Sequence, residues 1–582
     1  MRHLFHSLRA ALLLFALTVA NSTLAYDVEI DGIYYDFIDS YISEAYDDGG
    51  NLEFDGILFE DGVFVTSGEN KYVGEVIIPA TVTYNNKTYR VTGITRSAFI
   101  FCGELTGVIL PNTVTFIGRN AFFNCQNLTK VVLSQSLRHI DSNAFVLCKS
   151  LKTIDLPASL KTIGYGAFYD TAIKNITIPD STIVGEEAFN NTPIENITVS
   201  CKAKLMGNHI FNNTSWMNNQ PSDELIYIGT HLYCYNGILP EGTSITIPEG
   251  TTGIAGGAFA PFRNNAEDYP GTNQGLKNIE IPNSVNYIGN EAFTRSQLTE
   301  AVIPNSIEHI GDEAFAECTS LISANVPSAV KEIKPGTFRD CKFMRSVSFE
   351  EGLETIGGEA FSGDERLNDI VIPNSVKLIG WNAFGNCSAL RTLFLNCDSI
   401  DYGAFKDCTA LTRITIGDNT RSIGDEAFKG APLNEINLGS SIKYVGKFAF
   451  SNNQVPANVT CLATTPPAIR DGDEVIDDGY GRCYGTFNSD CYTKGTLYVP
   501  KGSEEAYMTA ATWKFFAYIV GIDVDHDNGD VNGDGEVNIA DINVLVNDIL
   551  SGTYDEKHDL NGDGEVNIAD INELIHIILG SN

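Results

Sequence analysis

The chain has 582 residues, with 74 Asp and Glu against 38 Lys and Arg, so its formal net charge at pH 7 is -36. This charge argues against nucleic acid or anionic lipid as the main partner, because binding either needs clustered Lys and Arg. The chain is also too long for one ordinary globular core.

The first residues combine a basic start, a short apolar run and a site of small residues. MRHLFHSLR precedes AALLLFALTVA, and Thr23 and Ala25 follow. This order predicts a signal peptide over residues 1–25, cleaved after Ala25. The apolar run is too short for a membrane span, and no comparable run recurs. We therefore expect a secreted chain without a membrane span, either extracellular or associated with the cell surface.

From about residue 93 to 460 the chain repeats one pattern, seen in FIGRNAFFNCQNLTKVVL and HIGDEAFAECTSLISANVP. Apolar residues recur at spacings of three and then two, as in Leu411, Ile414 and Ile416, which is the spacing of leucine-rich repeats. One coil cannot bury its apolar residues alone, whereas stacked coils share a core. The pattern predicts a curved leucine-rich-repeat solenoid of parallel β-strands. The anchoring residues of the copies are Phe99, Phe122, Phe145, Phe168, Phe189, Phe211, Phe259, Phe293, Phe315, Phe338, Phe361, Phe384, Phe405, Phe428 and Phe450.

A small residue follows many of these anchors at the third position. A position shared by many copies favours packed thiols, with disulfides as the alternative. The cysteines at this position are Cys102, Cys125, Cys148, Cys318, Cys341, Cys387 and Cys408. Between Phe211 and Phe259 the step doubles, and the sequence predicts a hairpin followed by one more coil. A polar loop, FRNNAEDYPGTNQ, precedes Leu276.

Residues between the apolar anchors of each strand should point outward, because side chains alternate along a strand. These positions are mainly small and polar, which favours hydrogen bonding to an extended partner. We predict that they form the ligand face of the solenoid. The predicted members are Thr153, Asp155, Asn175, Thr177, Asn278, Glu280, Thr392, Phe394, Arg413 and Thr415.

On these features the repeat resembles the BspA-like (treponemal-type) leucine-rich repeats of bacterial surface proteins. The resemblance implies a β-rich N-terminal cap over residues 26–92, where AYDVEIDGIYYDF and GEVIIPATVTYNNKTYRVTGI lie. It also implies a C-terminal cap over residues 461–522, where CLATTPPAI and TLYVPKGSEEAYMTAATWKFFAYIVGI lie. Members of this family are implicated in adhesion to host proteins and cells.

After a polar linker at 523–529, two near-identical segments follow, DVNGDGEVNIADINVLVNDIL and DLNGDGEVNIADINELIHIIL. Each begins as an EF-hand-type loop with Gly535 or Gly564 at the turn. Carboxylates that converge in such a loop repel by several kcal/mol per pair at about 4 Å, and a divalent cation removes that cost. We predict two Ca²⁺ ions, with Glu536 and Glu565 acting through their backbone carbonyls. The predicted ligands are Asp530, Asn532, Asp534, Glu536, Asn538, Asp541, Asp559, Asn561, Asp563, Glu565, Asn567 and Asp570.

Asp rather than Glu closes each loop, and no amphipathic helix enters it, so an ordinary EF-hand is a poor match. Residues 530–582 instead resemble a type I dockerin, a small all-α calcium-binding module whose two helices should pack together. The resemblance implies a cohesin-like partner. The partner contacts would lie just before the last ligand of each loop, at Ile539, Ala540, Ile568 and Ala569, where many dockerins carry a hydroxyl.

The sequence shows no nucleophile beside a base, no paired acids in a defined domain and no His-rich metal spacing, so no enzyme is predicted. The predicted function is a secreted, adhesin-like recognition protein whose solenoid binds an unknown protein or glycan. A calcium-dependent dockerin would attach it to its partner. The alternative is a non-catalytic polysaccharide-binding subunit of a cellulosome-like degradative complex.

Overall fold

The structure is a computed structural model. It describes residues 26–37, 62–260, 275–368, 370–451, 458–469, 476–477 and 483–522, and near the C-terminus residues 531, 541, 544–546, 548–549, 558, 566–567, 570–571 and 574. The predicted signal peptide, the polar loop before Leu276 and the linker at 523–529 lie outside the described residues. The chain divides into two compact units, Met1–Thr319 and Ser320–Asn582.

Most described repeats form a coil with two short strands and a tight turn between them. In one coil, strand Ile183–Val184 precedes the buried anchor Phe189, and strand Asn196–Val199 follows it. Both strands pair in parallel with their equivalents in neighbouring coils. The predicted parallel solenoid is therefore confirmed. The sequence analysis described only the longer strand, and the structure adds a ladder of two-residue strands.

A glycine after the two-residue strand lets successive coils approach closely. At Gly424 an added Cβ would lie 2.5 Å from the carbonyl carbon of Asp401 in the preceding coil. Only a residue without a Cβ is compatible with that separation.

In the first unit, antiparallel strands of the N-terminal cap lead into the parallel ladder of short strands. This sheet contains Val28–Ile30, Ile33–Phe37, Gly62–Thr66, Thr81–Tyr84, Lys87–Ile94, Phe116–Ile117, His139–Ile140, Thr162–Ile163, Ile183–Val184 and Lys204–Leu205. A second sheet contains Leu225–Ile228, His231–Tyr235, Gly253–Ile254, Tyr287–Ile288 and His309–Ile310. The remaining strands are Gly74–Ile77, Leu105–Ile109, Lys130–Val132, Asn175–Ile178, Asn196–Val199, Thr243–Thr246, Leu276–Glu280 and Glu300–Ala301, and the helix is Ser215–Asn218.

The predicted hairpin between Phe211 and Phe259 is confirmed. Strands Leu225–Ile228 and His231–Tyr235 pair antiparallel. The additional coil follows, with strands Thr243–Thr246 and Gly253–Ile254. The doubled step therefore adds one hairpin and one coil to the solenoid.

The second unit also has a ladder of short strands and a ladder of longer strands, and both reach the C-terminal cap. The short strands are Glu332–Ile333, Thr355–Ile356, Leu378–Ile379, Ser399–Ile400, Ser422–Ile423, Tyr444–Val445 and Ala468–Ile469. The longer strands are Ser323–Val326, Ser346–Phe349, Thr392–Leu395, Arg413–Ile416, Glu435–Leu438, Asn458–Cys461, Thr496–Pro500 and Tyr518–Ile522. The cap adds a hairpin, Ile476–Asp477 with Cys483–Tyr484, the helices Ser489–Lys494 and Glu504–Thr509, and the 3-10 helix Trp513–Phe515. None of the helices in the described ranges has the length and apolar character that crossing a bilayer requires.

The anchoring Phe rings stack in columns along the coils. Phe384 lies 5.1 Å from both Phe361 and Phe405, with nearly parallel rings. The column of the second unit extends beyond the repeats to Phe487 in the cap, where Trp513 packs edge-on at 5.5 Å. These buried rings supply much of the apolar surface that holds neighbouring coils together.

The cysteines of the repeat are buried thiols and do not form disulfides in the structure. Several donate a hydrogen bond to the carbonyl of the anchoring Phe in the preceding coil, as Cys148 Sγ does to Phe122 O at 3.1 Å and Cys387 Sγ to Phe361 O at 3.1 Å. Burial raises the pKa of Cys148 to about 12. The predicted thiol packing is confirmed.

Candidate ligand face and docking module

In the first unit, several predicted ligand-face residues form exposed rows across neighbouring strands. Asn175 and Thr177 are exposed, and Asn196 Nδ2 donates to Asn175 Oδ1 at 2.7 Å. Asn278 Nδ2 donates to Ser244 Oγ at 2.9 Å. These two rows belong to separate two-stranded sheets.

Other predicted positions in this unit have a different setting. Glu280 accepts a hydrogen bond from Thr246 Oγ1 at 2.9 Å. Thr153 and Asp155 are exposed, but their segment has no assigned strand. The outward orientation predicted from the alternation is present at all these residues.

In the second unit, the predicted residues lie in two rows of one sheet. Thr392 is aligned with Arg413, and Phe394 is aligned with Thr415. Phe394 and Thr415 are half-buried, whereas Thr392 and Arg413 are exposed. Arg413 Nε lies 2.9 Å from a carboxylate oxygen of Glu435 in the next strand. This ion pair leaves Arg413 less available to a ligand than the sequence alone suggested.

In the docking segment, the structure describes Asp541, Asn567 and Asp570 among the predicted calcium ligands. Asp541 and Asp570 are fully buried, at equivalent positions of the two copies. Both residues are helical, and Leu545 and Leu574, four residues further on, are fully buried. Each copy therefore buries a leucine at the equivalent helical position.

The loop around Asp570 has a defined shape. Asn567 N donates to Asp570 Oδ2 at 2.7 Å, and Asp570 N donates to Asn567 O at 3.1 Å. Two buried carboxylates at repeated positions need a compensating charge, and oxygen ligands of this kind suit Ca²⁺. These residues therefore fit a calcium site. The other predicted ligands and partner contacts lie outside the described residues, namely Asp530, Asn532, Asp534, Glu536, Asn538, Asp559, Asn561, Asp563, Glu565, Ile539, Ala540, Ile568 and Ala569.

A family model described as "BspA type Leucine rich repeat region (6 copies)" matches residues 92–218, 181–269, 266–391 and 391–464. The chain belongs to this family of BspA-type leucine-rich-repeat proteins. A second model, described as "Dockerin type I domain", matches residues 528–579. This BspA-type protein thus joins a repeat region to a calcium-binding docking module. Both matched families are non-catalytic modules.

Solved structures of leucine-rich-repeat proteins resemble the BspA-type chain. A leucine-rich repeat protein from Bacteroides ovatus is 28% identical over 72% of this chain and 94% of its own, with a TM-score of 0.30. A leucine rich cell surface protein from Faecalibacterium prausnitzii is 21% identical over 71% of this chain and 93% of its own, with a TM-score of 0.24. No curated protein matches the chain.

The second unit of the BspA-type protein contains an arginine-lined recess that was not predicted from the sequence. The recess has a volume of about 460 Å³ and opens beside the longer strands. Arg345 and Arg391 each follow the apolar anchor that precedes a longer strand, Met344 and Leu390. That shared position was the available signal in the sequence. The lining of the recess includes Arg345, Arg366, Asn368, Ser388, Arg391 and Ala410.

Proposed function

We propose that this BspA-type protein is an exported ligand-recognition protein that a calcium-dependent dockerin attaches to a cohesin-bearing partner. The observation that carries the proposal is the joining of the two modules in one chain, with repeats matched over 92–464 and a dockerin over 528–579. Repeats of this kind offer an extended binding surface, and a dockerin offers attachment. The signal peptide predicted for residues 1–25 supports export to the cell surface or medium.

Calcium is proposed to organise the docking module through two ions, one in each loop. Bound Ca²⁺ would balance the negative charge of the clustered carboxylates and so remove their mutual repulsion. Asp541 and Asp570 would close the two loops from the first turn of their helices. Ile539 and Ala540, with Ile568 and Ala569, are proposed to contact the cohesin-like partner. The near-identity of the two copies supports equivalent roles.

The ligand face is proposed to be the outward side of the longer strands. Its exposed rows of Asn, Thr and Glu present hydrogen-bonding groups in register across neighbouring coils. An extended ligand could contact the same position in several coils at once. This arrangement supports adhesin-like binding of a protein or glycan.

A second candidate is a non-catalytic polysaccharide-binding subunit of a degradative complex. The dockerin match favours it, because resemblance to this module implies assembly with cohesin-bearing partners. In this candidate, as in an adhesin-like protein whose ligand is a glycan, the solenoid would bind the polysaccharide. The two candidates differ in the partner that carries the cohesin, a surface scaffold or a complex of polysaccharide-degrading enzymes.

Cohesin binding tests the docking half of the proposal. The full chain should bind at least one type I cohesin in calcium and release it in excess chelator. The variant with Asp541→Ala and Asp570→Ala should fail to bind in either condition, because each loop loses its closing carboxylate. Absence of binding across a broad cohesin panel in calcium would refute the docking role.

Substitutions in the two ladders of the second unit, the longer strands and the short strands, test the ligand face. Thr415→Lys adds a long side chain to a longer strand, and Thr355→Lys adds the same side chain to a short strand. Both threonines are half-buried in the second unit. For a bound host protein or glycan, only Thr415→Lys should weaken binding. If Thr355→Lys abolished binding while Thr415→Lys left it intact, the face would be wrongly assigned.

A further inference from the structure

We propose that the arginine-lined recess of the second unit binds a carboxylate-bearing polysaccharide. Resting on the proposed function, this inference names the class of ligand for the strand side of these coils. Arg345, Arg366 and Arg391 are exposed residues that line the recess. Three guanidinium groups concentrated in one recess contrast with a chain whose net charge is -36.

The three arginines are not used in ion pairs with the described residues. Elsewhere along the coils, some cations beside the longer strands have an acidic partner in a neighbouring coil. Lys174 lies 3.3 Å from Glu195, and Arg413 lies 2.9 Å from Glu435. A cation without such a partner keeps its full attraction for an anion from solution.

The stacking of the coils aligns one position of three successive coils beside the recess. Arg345, Asn368 and Arg391 occupy equivalent positions in three successive coils, and Asn368 N donates to Arg345 O at 3.3 Å. Neighbouring coils here are 5.1 Å to 5.4 Å apart, measured between the stacked rings of their anchors. An extended polymer with an anionic group on successive units could therefore contact several coils.

The arginine of the middle coil is held in place by an aromatic ring. The guanidinium carbon of Arg366 lies 4.2 Å from the ring centroid of Phe343, which is 46% exposed. A stacked guanidinium loses less freedom on binding, and its planar fork can donate two parallel hydrogen bonds to one carboxylate. The exposed edge of Phe343 also offers an apolar surface beside the charge.

The side chains that line the recess favour a polysaccharide over an acidic protein segment. Ser388, Ala389 and Ala410 are small, and no large apolar side chain is among the lining residues. Protein interfaces usually depend on a few large side chains that fill apolar pockets. A flat, polar chain of sugars needs only hydrogen bonds, charge pairing and contact with small residues.

Binding of an oligogalacturonate to the full chain tests the proposal by isothermal titration calorimetry. The triple variant Arg345→Gln, Arg366→Gln and Arg391→Gln should bind about tenfold more weakly or worse, since it loses three charge-assisted contacts. Its melting temperature should stay unchanged, because the substituted side chains are exposed. No measurable binding by the natural chain, or equal binding by the variant, would overturn the proposal.

A matched control removes the same charge elsewhere. Arg90→Gln, Arg138→Gln and Arg421→Gln together change three exposed arginines outside the recess. This control should bind oligogalacturonate as the natural chain does. An equal loss in both triple variants would indicate unspecific attraction and would overturn the assigned site.

Two further probes decide the ligand class. A methyl-esterified oligogalacturonate, which lacks the charge, should bind at least about tenfold more weakly. Poly-glutamate of similar length should also bind weakly, and equally tight, arginine-dependent binding of poly-glutamate would overturn the choice of polysaccharide.

If no acidic glycan binds while Thr415→Lys still abolishes binding of another ligand, this inference falls and the proposed function stands. If oligogalacturonate binds through the arginines but no ligand or cohesin depends on the proposed face and module, the proposed function falls instead.

Discussion

At the residue scale, His231 shows how an insertion is fixed to the coils of the first unit. His231 is fully buried. Its Nε2 lies 2.9 Å from Ser200 O, and its Nδ1 lies 3.0 Å from Tyr287 Oη. Leu205 N donates to the same Tyr287 oxygen at 3.0 Å. A neutral imidazole with its proton on Nε2 satisfies this network, because Nε2 then donates to Ser200 O while Tyr287 donates to Nδ1.

This network predicts a pH dependence of stability. Burial lowers the pKa of His231 below its ordinary value of 6.5. The folded state thus binds the proton more weakly than the unfolded state, and the free energy of unfolding should fall as the pH drops below about 6.5. His231→Gln removes the titrating group, so its melting temperature should decline less between pH 7 and pH 5. An identical decline in both proteins would contradict the role of His231.

The repeat thiols give a second prediction at this scale. Burial raises the pKa of both Cys148 and Cys408 to about 12, so little thiolate forms near neutral pH. Iodoacetamide should label the exposed Cys201 in the native chain and reach Cys148 and Cys408 only after unfolding. Peptide mapping by mass spectrometry measures this directly. Rapid native labelling of Cys148, or a disulfide between two repeat cysteines, would contradict the packing described here.

At the element scale, the stacked Phe column is the feature that joins neighbouring coils. Phe384 is fully buried between two parallel rings. Phe384→Ala should lower the free energy of unfolding by about 3–5 kcal/mol, because it removes the ring and leaves a cavity. Tyr444→Ala, at a side chain that is 55% exposed, should change it by only about 0.5 kcal/mol. Chemical denaturation of both variants checks the contrast.

Local susceptibility to proteolysis provides the accompanying test for Phe384→Ala. In a repeat protein each coil is stabilised mainly by its neighbours, so cleavage should begin near the substituted coil. Cleavage spread evenly over the chain, or an equal loss of stability in Tyr444→Ala, would contradict the proposed importance of the column.

Much of the coil could be predicted from the sequence, because its anchors recur at nearly constant steps. The periodicity identified the Phe column, the longer strands and the small residue at the turn. The two-residue strands were missed, since a strand such as Ile183–Val184 is too short to show an alternating pattern. Phe487 was missed as the last member of its column because the cap that places it lacks the repeat spacing.

The functional surfaces were predictable to different degrees. The proposed calcium ligands are close in sequence and occur twice, so local spacing alone was enough to propose them. The arginine recess depends on side chains from successive coils, about one repeat apart. Arg366 also occupies a different position within its coil from Arg345 and Arg391. Only the stacking of the coils shows that the three line one recess.

At the scale of the whole molecule, the two modules should respond differently to calcium. The sequence predicts two short loops and two short helices for the docking module, so we expect it to have little apolar surface to stabilise it without metal. The solenoid is instead stabilised by buried rings and strand pairing. Excess chelator should therefore unfold residues from about 528 onward and leave the repeats folded. Replacing Asp530 and Asp559 together by Ala should have the same effect as chelation, whereas either single change should be milder.

The most direct test of calcium-dependent folding of the docking module is hydrogen–deuterium exchange of the full chain with calcium and with excess chelator. In calcium, slow exchange is expected both in the repeats and in the peptides that contain Asp541 and Asp570. In chelator, the peptides of residues 528–579 should exchange rapidly, while those of residues 92–464 keep their protection. Equal protection of the docking segment in calcium and in chelator would contradict the account.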